Sequence, residues 1–308
     1  MKIALVNNFF VPRPSGSAHM TEGLAVEFAR RGHDVLVVSA AYSDAPQAEV
    51  RDGYRVVRLP SRTLPRMKLT MNYDVQFAAS PGNYRRLVQL LDEFQPDLVH
   101  EHGQFFDISW MATLWARRRA VPIVMTVHTA LVHTRPLYAA LLHAADLAVA
   151  RPFIEIGKPH FVVFDKWIDG YVARRYGIPL SRREPIVIGV DPSRFDHHAA
   201  GSVREELGIG DRRMVLSLGH VIPVRNRVTL VRALPRLIRH FPDVAVVVVG
   251  NVLDDAFLRE ADRLGVRDRL ILTGAVPKDK IPALVAACDL ETHDHQGRGL
   301  GTTTLEVM

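Results

Sequence analysis

The feature that most constrains this chain is an alternation of short apolar runs with helical stretches. Lys2–Asn8 reads as a strand, Phe9–Ala18 as a proline-glycine loop, and a helix follows to about Arg31. Leu24, Ala25 and Phe28 share one face of that helix, and Gly32 stops it. Asp34–Ser39 is the next strand. Strand, helix, strand in this order is a βαβ unit, which demands a parallel sheet with right-handed crossovers.

The pattern continues along the chain. Tyr54–Leu59 reads as a strand and residues 60–95 as less regular. Pro96–His102 is a strand, 105–119 a helix, Pro122–His128 a strand, and Leu137–Ala148 a helix. Phe161–Phe164 is a strand, Trp167–Tyr176 a helix closed by Gly177, and Pro185–Val190 a further strand. Asp191–Gly201 is polar and turn-rich. Beyond it the alternation restarts, with strands at 213–218, 243–249, 269–272 and 289–292 and helices at 228–240, 254–264 and 279–287. The expected class is α/β with two Rossmann-like domains, residues 1–190 and 212–308, joined by a linker at 191–211. The second domain is expected to be incomplete, because the sequence stops one turn into the helix after its last strand. A polypeptide ending there would expose a sheet edge and an apolar face, so poor solubility or weak activity is expected of it.

Composition narrows the function classes. Hydrophobic residues make up 48% and charged residues 23%, the balance of a globular protein. No apolar run reaches the roughly 18 residues that span a bilayer. A single cysteine, Cys288, excludes an internal disulfide and a cysteine-cluster metal site, and a reducing cytoplasm fits it. The net charge of +6 permits anionic partners. Zinc-ligand spacing and aromatic-rich basic strands are both missing, so nucleic acid is not expected. Residues 61–90 interleave Arg62, Arg66, Lys68, Arg85 and Arg86 with Leu64, Met67, Phe77 and Leu87. That is either a basic amphipathic surface for peripheral contact with the inner face of a membrane or a solvated face with core contacts.

Three places carry chemistry. Near the end, Ala287–Glu291 reads as a strand, Gly297, Gly299 and Gly301 as a loop, and Thr302 to Glu306 as a first helical turn. Free backbone N–H groups and a helix dipole suit that turn to phosphate. The loop Gly219–Arg227 stands in the same relation to the second domain's first strand, with Arg225 and Arg227 placed to meet a phosphate. In the first domain, His100, His102 and His128 end two strands, at the carboxyl edge where open parallel sheets bind ligands. Glu101 belongs to the opposite face, so no metal site is expected there. The first βα loop holds only Gly16 where a dinucleotide fingerprint has three glycines.

Together these motifs resemble a GT-B glycosyltransferase of family 4. The family's N-terminal Gly-Gly loop matches Ser15–Gly16, its Arg-Arg-Gly-His-acid-Val motif matches Arg30–Val35, and its His-x-His motif lies within Asp97–His102. Its Thr-x-His-Thr motif is Thr126–Thr129, its phosphate loop aligns with Gly219–Asn226, and its closing motif aligns with 298–306. Gly189–Phe195 stands at the joint. The resemblance implies a retaining, metal-independent transfer of sugar from a nucleotide diphosphate-sugar to an acceptor hydroxyl, with no cofactor. It implies that His128 lies beside the reacting sugar and that Gly16 and Gly219 let backbone approach the donor. Arg225 would meet the pyrophosphate, Gly299, Gly301 and Thr302 would hold sugar or phosphate, and Glu306 would bind the ribose. His100 and His102 are acceptor-side or structural candidates. The acceptor itself is unassigned, with a lipid-linked one suggested by 61–90. Three positions depart from the family: Ser15 for glycine, His220 for arginine, and Arg298 for an acidic residue. Arg298 and the early end of the sequence favour one alternative, a non-catalytic sugar-nucleotide-binding protein; a GT-B nucleotide-sugar epimerase is the other, with Glu101 and Asp294 as poor candidates for its acidic groups.

Overall fold

The computed structural model describes residues 1–13, 15–70, 73–133, 135–190, 195, 200–294 and 305. The chain divides into two compact units, Met1–Val187 and Ile188–Met308.

The first unit holds β1 (Lys2–Val6), α1 (Gly16–Arg30), β2 (Asp34–Ala40), β3 (Ala48–Arg51), β4 (Tyr54–Leu59), β5 (Arg62–Thr63) and β6 (Gln76–Phe77). It continues with α2 (Pro81–Phe94), β7 (Leu98–His102), α3 (Asp107–Arg119), β8 (Ile123–Thr126), α4 (Pro136–Ala145) and α5 (Arg151–Gly157). It ends with β9 (His160–Val163), α6 (Lys166–Tyr176) and β10 (Arg183–Pro185). The main sheet runs β10-β9-β8-β7-β1-β2-β4-β3. Its pairings are parallel except for β3 on β4 at one edge. From β1 the chain winds one way through β2 and β4, then returns to the other side of β1 at β7. The crevice beyond the carboxyl ends of β1 and β7 is therefore the topological switch point.

Both faces of this sheet are covered, as a parallel sheet requires. Ile3, Leu5, Val35 and Val37 pack under α1 through Leu24, Ala25 and Phe28. On the other face Ala4, Val6, Val38 and Val99 meet Leu87 and Leu91 of α2 and Ile108, Ala112 and Trp115 of α3. Local signals set the helix ends. Ser15, Ser80 and Asp165 cap α1, α2 and α6 by accepting backbone N–H groups, and Gly177 closes α6 in the left-handed conformation.

The second unit holds α7 (Ala200–Glu206), β11 (Met214–Leu218), α8 (Arg227–Ile238), β12 (Ala245–Val249), α9 (Ala256–Leu264), β13 (Leu270–Gly274), α10 (Ile281–Ala287) and β14 (Leu290–Glu291). Its parallel sheet runs β13-β12-β11-β14, so its switch point lies between β11 and β14.

Four expectations are corrected. The less regular stretch 60–95 contains α2 and a small β5–β6 hairpin. The helix expected at 137–148 continues through a π-turn at Asp146–Ala150 into α5. The strand expected at 185–190 is β10, which ends at Pro185 and leaves Ile186 and Val187 exposed. Within the linker expected at 191–211, α7 is docked on the second unit, where Ala200, Val203, Leu207 and Ile209 join Leu284 and Ala287 of α10.

Candidate functional site

The carboxyl edge of the first sheet is built from the ends of β1, β7 and β8. His100 is in register with Leu5, and His102 with Thr126. Alternation therefore brings His100 and His102 to one face and Glu101 to the other. His100 and His102 are buried with their rings stacked at 4.4 Å, and His102 stacks on His128 at 5.1 Å. His100 Nε2 is 2.7 Å from Thr126 Oγ1, and His102 Nδ1 is 2.9 Å from His128 Nε2. The three histidines expected to converge do so. Burial holds His100 down at about 4, and burial together with the neighbouring His100 holds His128 at about 3. Burial and the two flanking imidazoles hold His102 well below the usual histidine range. All three rings are therefore neutral near pH 7 and act as hydrogen-bonding groups rather than cations. His128 is the partly exposed member, at the rim. Gly103 turns the chain away after β7 at φ 96°.

Glu101 lies on the α3 side, where Thr113 Oγ1 donates to Oε1 at 2.7 Å. Its Oε2 is buried without a hydrogen bond, and burial pushes the carboxyl up to about 8. It is therefore protonated at neutral pH. Among the described residues no group of three His, Cys, Asp or Glu side chains is placed to hold a metal ion.

Gly16 is the first residue of α1, at the same edge, with Ser15 as the cap. Sequence reasoning missed what holds it there. Asn7, fully buried, donates to Thr21 Oγ1 at 2.8 Å and to Ser17 O at 3.3 Å, tying the first turn of α1 to the end of β1. Asn8 donates to Asp107 Oδ1, and the other oxygen of Asp107 accepts from the backbone N–H groups of Ala78, at 2.5 Å, and Ala79. The buried Arg58 reaches Val11 O at 2.8 Å and Glu49 Oε1 at 2.6 Å, fixing the loop after β1. The paired asparagines directly after the first strand were the available signal, since short amides favour turns and local backbone bonds.

At the second unit's switch point, Gly219 follows β11 at φ 97° and Gly250 follows β12 at φ 129°. A Cβ on Gly250 would lie 2.6 Å from the carbonyl carbon of Gly219, so the two backbones touch. Arg225 donates to Leu218 O at 3.0 Å and is partly exposed. Arg227 does not face outward as expected. It is buried and donates to Leu218 O and Gly219 O, both at 2.9 Å, satisfying carbonyls at the end of β11. Asn226 Nδ2 donates to Asp294 Oδ2 at 2.7 Å, joining the loops after β11 and β14. Gly299, Gly301, Thr302, Glu306 and Arg298 lie outside the described residues.

Each unit thus presents glycines, helix starts and polar side chains at the switch point of a parallel sheet, the arrangement of nucleotide-binding α/β domains. Comparison with known proteins gives the class. The model of Glycosyltransferase Family 4 matches residues 14–194, and that of Glycosyl transferases group 1 matches 201–308. The chain belongs to glycosyltransferase family 4 and has the GT-B fold. Among its relatives is the GDP-mannose-dependent alpha-(1-6)-phosphatidylinositol monomannoside mannosyltransferase of Mycolicibacterium smegmatis, 29% identical over 96% of this chain and 73% of the relative. Another is the alpha-monoglucosyldiacylglycerol synthase of Streptococcus pneumoniae, 23% identical over 100% of this chain and 69% of the relative. The solved structure of Anabaena HepE in complex with UDP and glucose superimposes with a TM-score of 0.71 at 18% identity, covering 100% of this chain and 78% of that one.

Proposed function

We propose that the protein is a retaining, metal-independent glycosyltransferase that moves a sugar from a nucleotide diphosphate-sugar to the hydroxyl of a lipid-linked acceptor. The observation that carries the reading is the family match on both units, each with its motif residues at a switch point. The second unit takes the donor. Gly219 lets backbone approach the pyrophosphate, and Arg225 turns from Leu218 O to meet it. Gly299, Gly301 and Thr302 hold sugar or phosphate, and Glu306 binds the ribose. Departure of the nucleoside diphosphate builds negative charge, which fixed N–H dipoles and a guanidinium stabilise without a metal. On the first unit, Gly16 leaves the start of α1 open to the donor phosphate, and neutral His128 offers a hydrogen bond to the reacting sugar. The acceptor hydroxyl attacks on the face the leaving group vacates, and its proton leaves with the diphosphate.

The lipid-linked acceptor is supported by the phosphatidylinositol and diacylglycerol in the relatives' names, and work at a cytoplasmic membrane surface goes with it. The nucleotide is left to measurement, because one relative uses GDP-mannose and a structural neighbour holds UDP. A panel of nucleotide-sugars, read by nucleoside diphosphate release with and without phospholipid or diacylglycerol acceptors, tests the reading. Acceptor-dependent release supports it. Tight donor binding with no release in either arm would favour a binding protein, the reading that Arg298 keeps in view. Isomerised donor would favour an epimerase.

A further inference from the structure

Other helices in each unit turn charge outward. α2 buries Leu87, Leu91 and Phe94 and exposes Arg85, Gln89 and Glu93, and α9 exposes Arg259, Asp262 and Arg263. α4 is different. Its sequence, PLYAALLHAA, contains no Asp, Glu, Lys or Arg, and none of its residues is buried. Leu137, Ala140, Leu141 and Ala144 are all exposed at helical spacing, Leu137 at 68% and Leu141 at 49%. Within the continuous helical run Pro136–Gly157 an 18-residue window has a mean hydropathy of 1.3, and the run is long and apolar enough to cross a membrane by length and composition. Its inner face, however, is fastened to the unit through buried Asp146, Ala150 and Ile154, so it lies along the protein surface. A helix that is apolar on its outer face needs an apolar medium there.

Cations border this ridge. His133 Nε2 lies 2.9 Å from Lys68 O, joining the loop before α4 to the segment between β5 and β6. That segment exposes Met67, and the hairpin exposes Leu64 and Phe77. Arg66 is paired with Asp74, whereas Arg62, Lys68 and Arg135 form no ion pair with a described residue. Two copies meeting face to face would set these cations against each other. An anionic headgroup layer complements them, with the stems reaching along the apolar surface.

We propose that α4 and the hairpin at 62–77 form a seat for an anionic bilayer surface. α4 lies in the plane of the interface, with Leu137 and Leu141 among the acyl chains and Arg62, Lys68 and Arg135 at the phosphates. The seat shares 62–77 with the stretch 61–90 singled out in the sequence and adds α4, which lies outside that range, while α2 exposes a charged face. The seat rests on surface chemistry alone, so its test needs neither donor nor acceptor and is independent of the transfer reaction.

The test places an environment-sensitive fluorophore on Leu137→Cys in a Cys288→Ser background of the full chain. A matched label on Val50→Cys, exposed on the edge strand β3, serves as control. Phosphatidylglycerol-containing vesicles should shift the Leu137 label to the blue and leave the Val50 label unchanged, with phosphatidylcholine alone giving a weaker shift. Each of Arg62→Glu, Lys68→Glu and Arg135→Glu should weaken vesicle binding about fivefold or more while the melting temperature stays put. No shift at Leu137, or an equal shift at both labels, overturns the proposal. So does a Leu137 shift that appears without vesicles: if it grows with protein concentration alongside dimer in sedimentation, a second copy covers the face. If it is concentration-independent, another part of the chain does.

Discussion

His102 Nδ1 and His128 Nε2 share one hydrogen bond of 2.9 Å, and the direction of that bond follows from burial. The other nitrogen of His102, Nε2, is buried with no partner. A bare lone pair there is less costly than an orphaned N–H. His102 therefore carries its proton on Nδ1 and donates it. His128 accepts at Nε2 and holds its own proton on Nδ1, at the partly exposed rim. The pair thereby presets a neutral donor where the sugar is proposed to sit.

Two substitutions separate the parts of that arrangement. His128→Ala should lower acceptor-dependent turnover by about a hundredfold, and His102→Phe, which keeps the stack and removes the bond, by about tenfold. In the His128→Ala background the His102→Phe change should have no further effect on turnover. Turnover of the four proteins in that cycle checks the coupling, and an undiminished His102→Phe effect would reject it.

The histidine cluster sets the acid limit of stability. The folded values lie below the ordinary value of about 6.5, so the unfolded chain binds more protons as pH falls. The neutral rings' full contribution is present above about 6.5 and is lost as pH drops toward the folded values, about 4 for His100. At pH 5 His100 alone accounts for up to about 2 kcal/mol. Urea midpoints at pH 7 and pH 5 should show the fall, and His100→Gln should reduce it.

Glu101 acts with the opposite sign. Its folded value, about 8, is raised above the ordinary carboxyl value, so its contribution is complete below about 4.5 and is lost as pH rises through 8. At pH 7 the loss is roughly 3 kcal/mol at most. Glu101→Gln keeps an acceptor for Thr113 and cannot ionise. It should raise the urea midpoint at pH 8 and leave it nearly unchanged at pH 4.

In the second unit, Gly250→Ala forces a methyl group against the Gly219 carbonyl at a backbone angle that side chains rarely adopt. A loss of about 3 kcal/mol or more is expected. Gly265→Ala, at φ 67° with nothing within 4 Å of the added carbon, should lose only about 1 kcal/mol. Thermal melts of the two variants compare them, and equal losses would mean that the close approach of the two backbones carries no energy.

Much of the first sheet could be read from sequence because its strands are continuous apolar runs. β1, β2, β7 and β8 sit within a residue or two of the expected positions. α2 was hidden because its buried apolar residues, Leu87, Leu91 and Phe94, are interrupted by Gln89, Asp92 and Glu93 and follow an irregular stretch with Pro60, Pro65 and Pro81. Of the candidate site, the histidine cluster was legible, since strand alternation fixes which side chains share an edge. Arg227 was misjudged: an arginine opening a helix near a glycine looks like a phosphate ligand, and only the fold reveals the carbonyls it satisfies. The Asn8–Asp107 bond could not be seen, because its partners are 99 residues apart and neither residue type announces the other.

The carboxylate of Asp107 is a rivet through three parts of the first unit. It opens α3, binds the side chain just past β1, and accepts the backbone of Ala78 and Ala79 immediately after β6. The hairpin that borders α4 and the strand end that leads into the Gly16 loop are thus fastened to one side chain. Outer hairpin and inner sheet edge therefore share one anchor, and removing that single carboxylate would unfasten both at once.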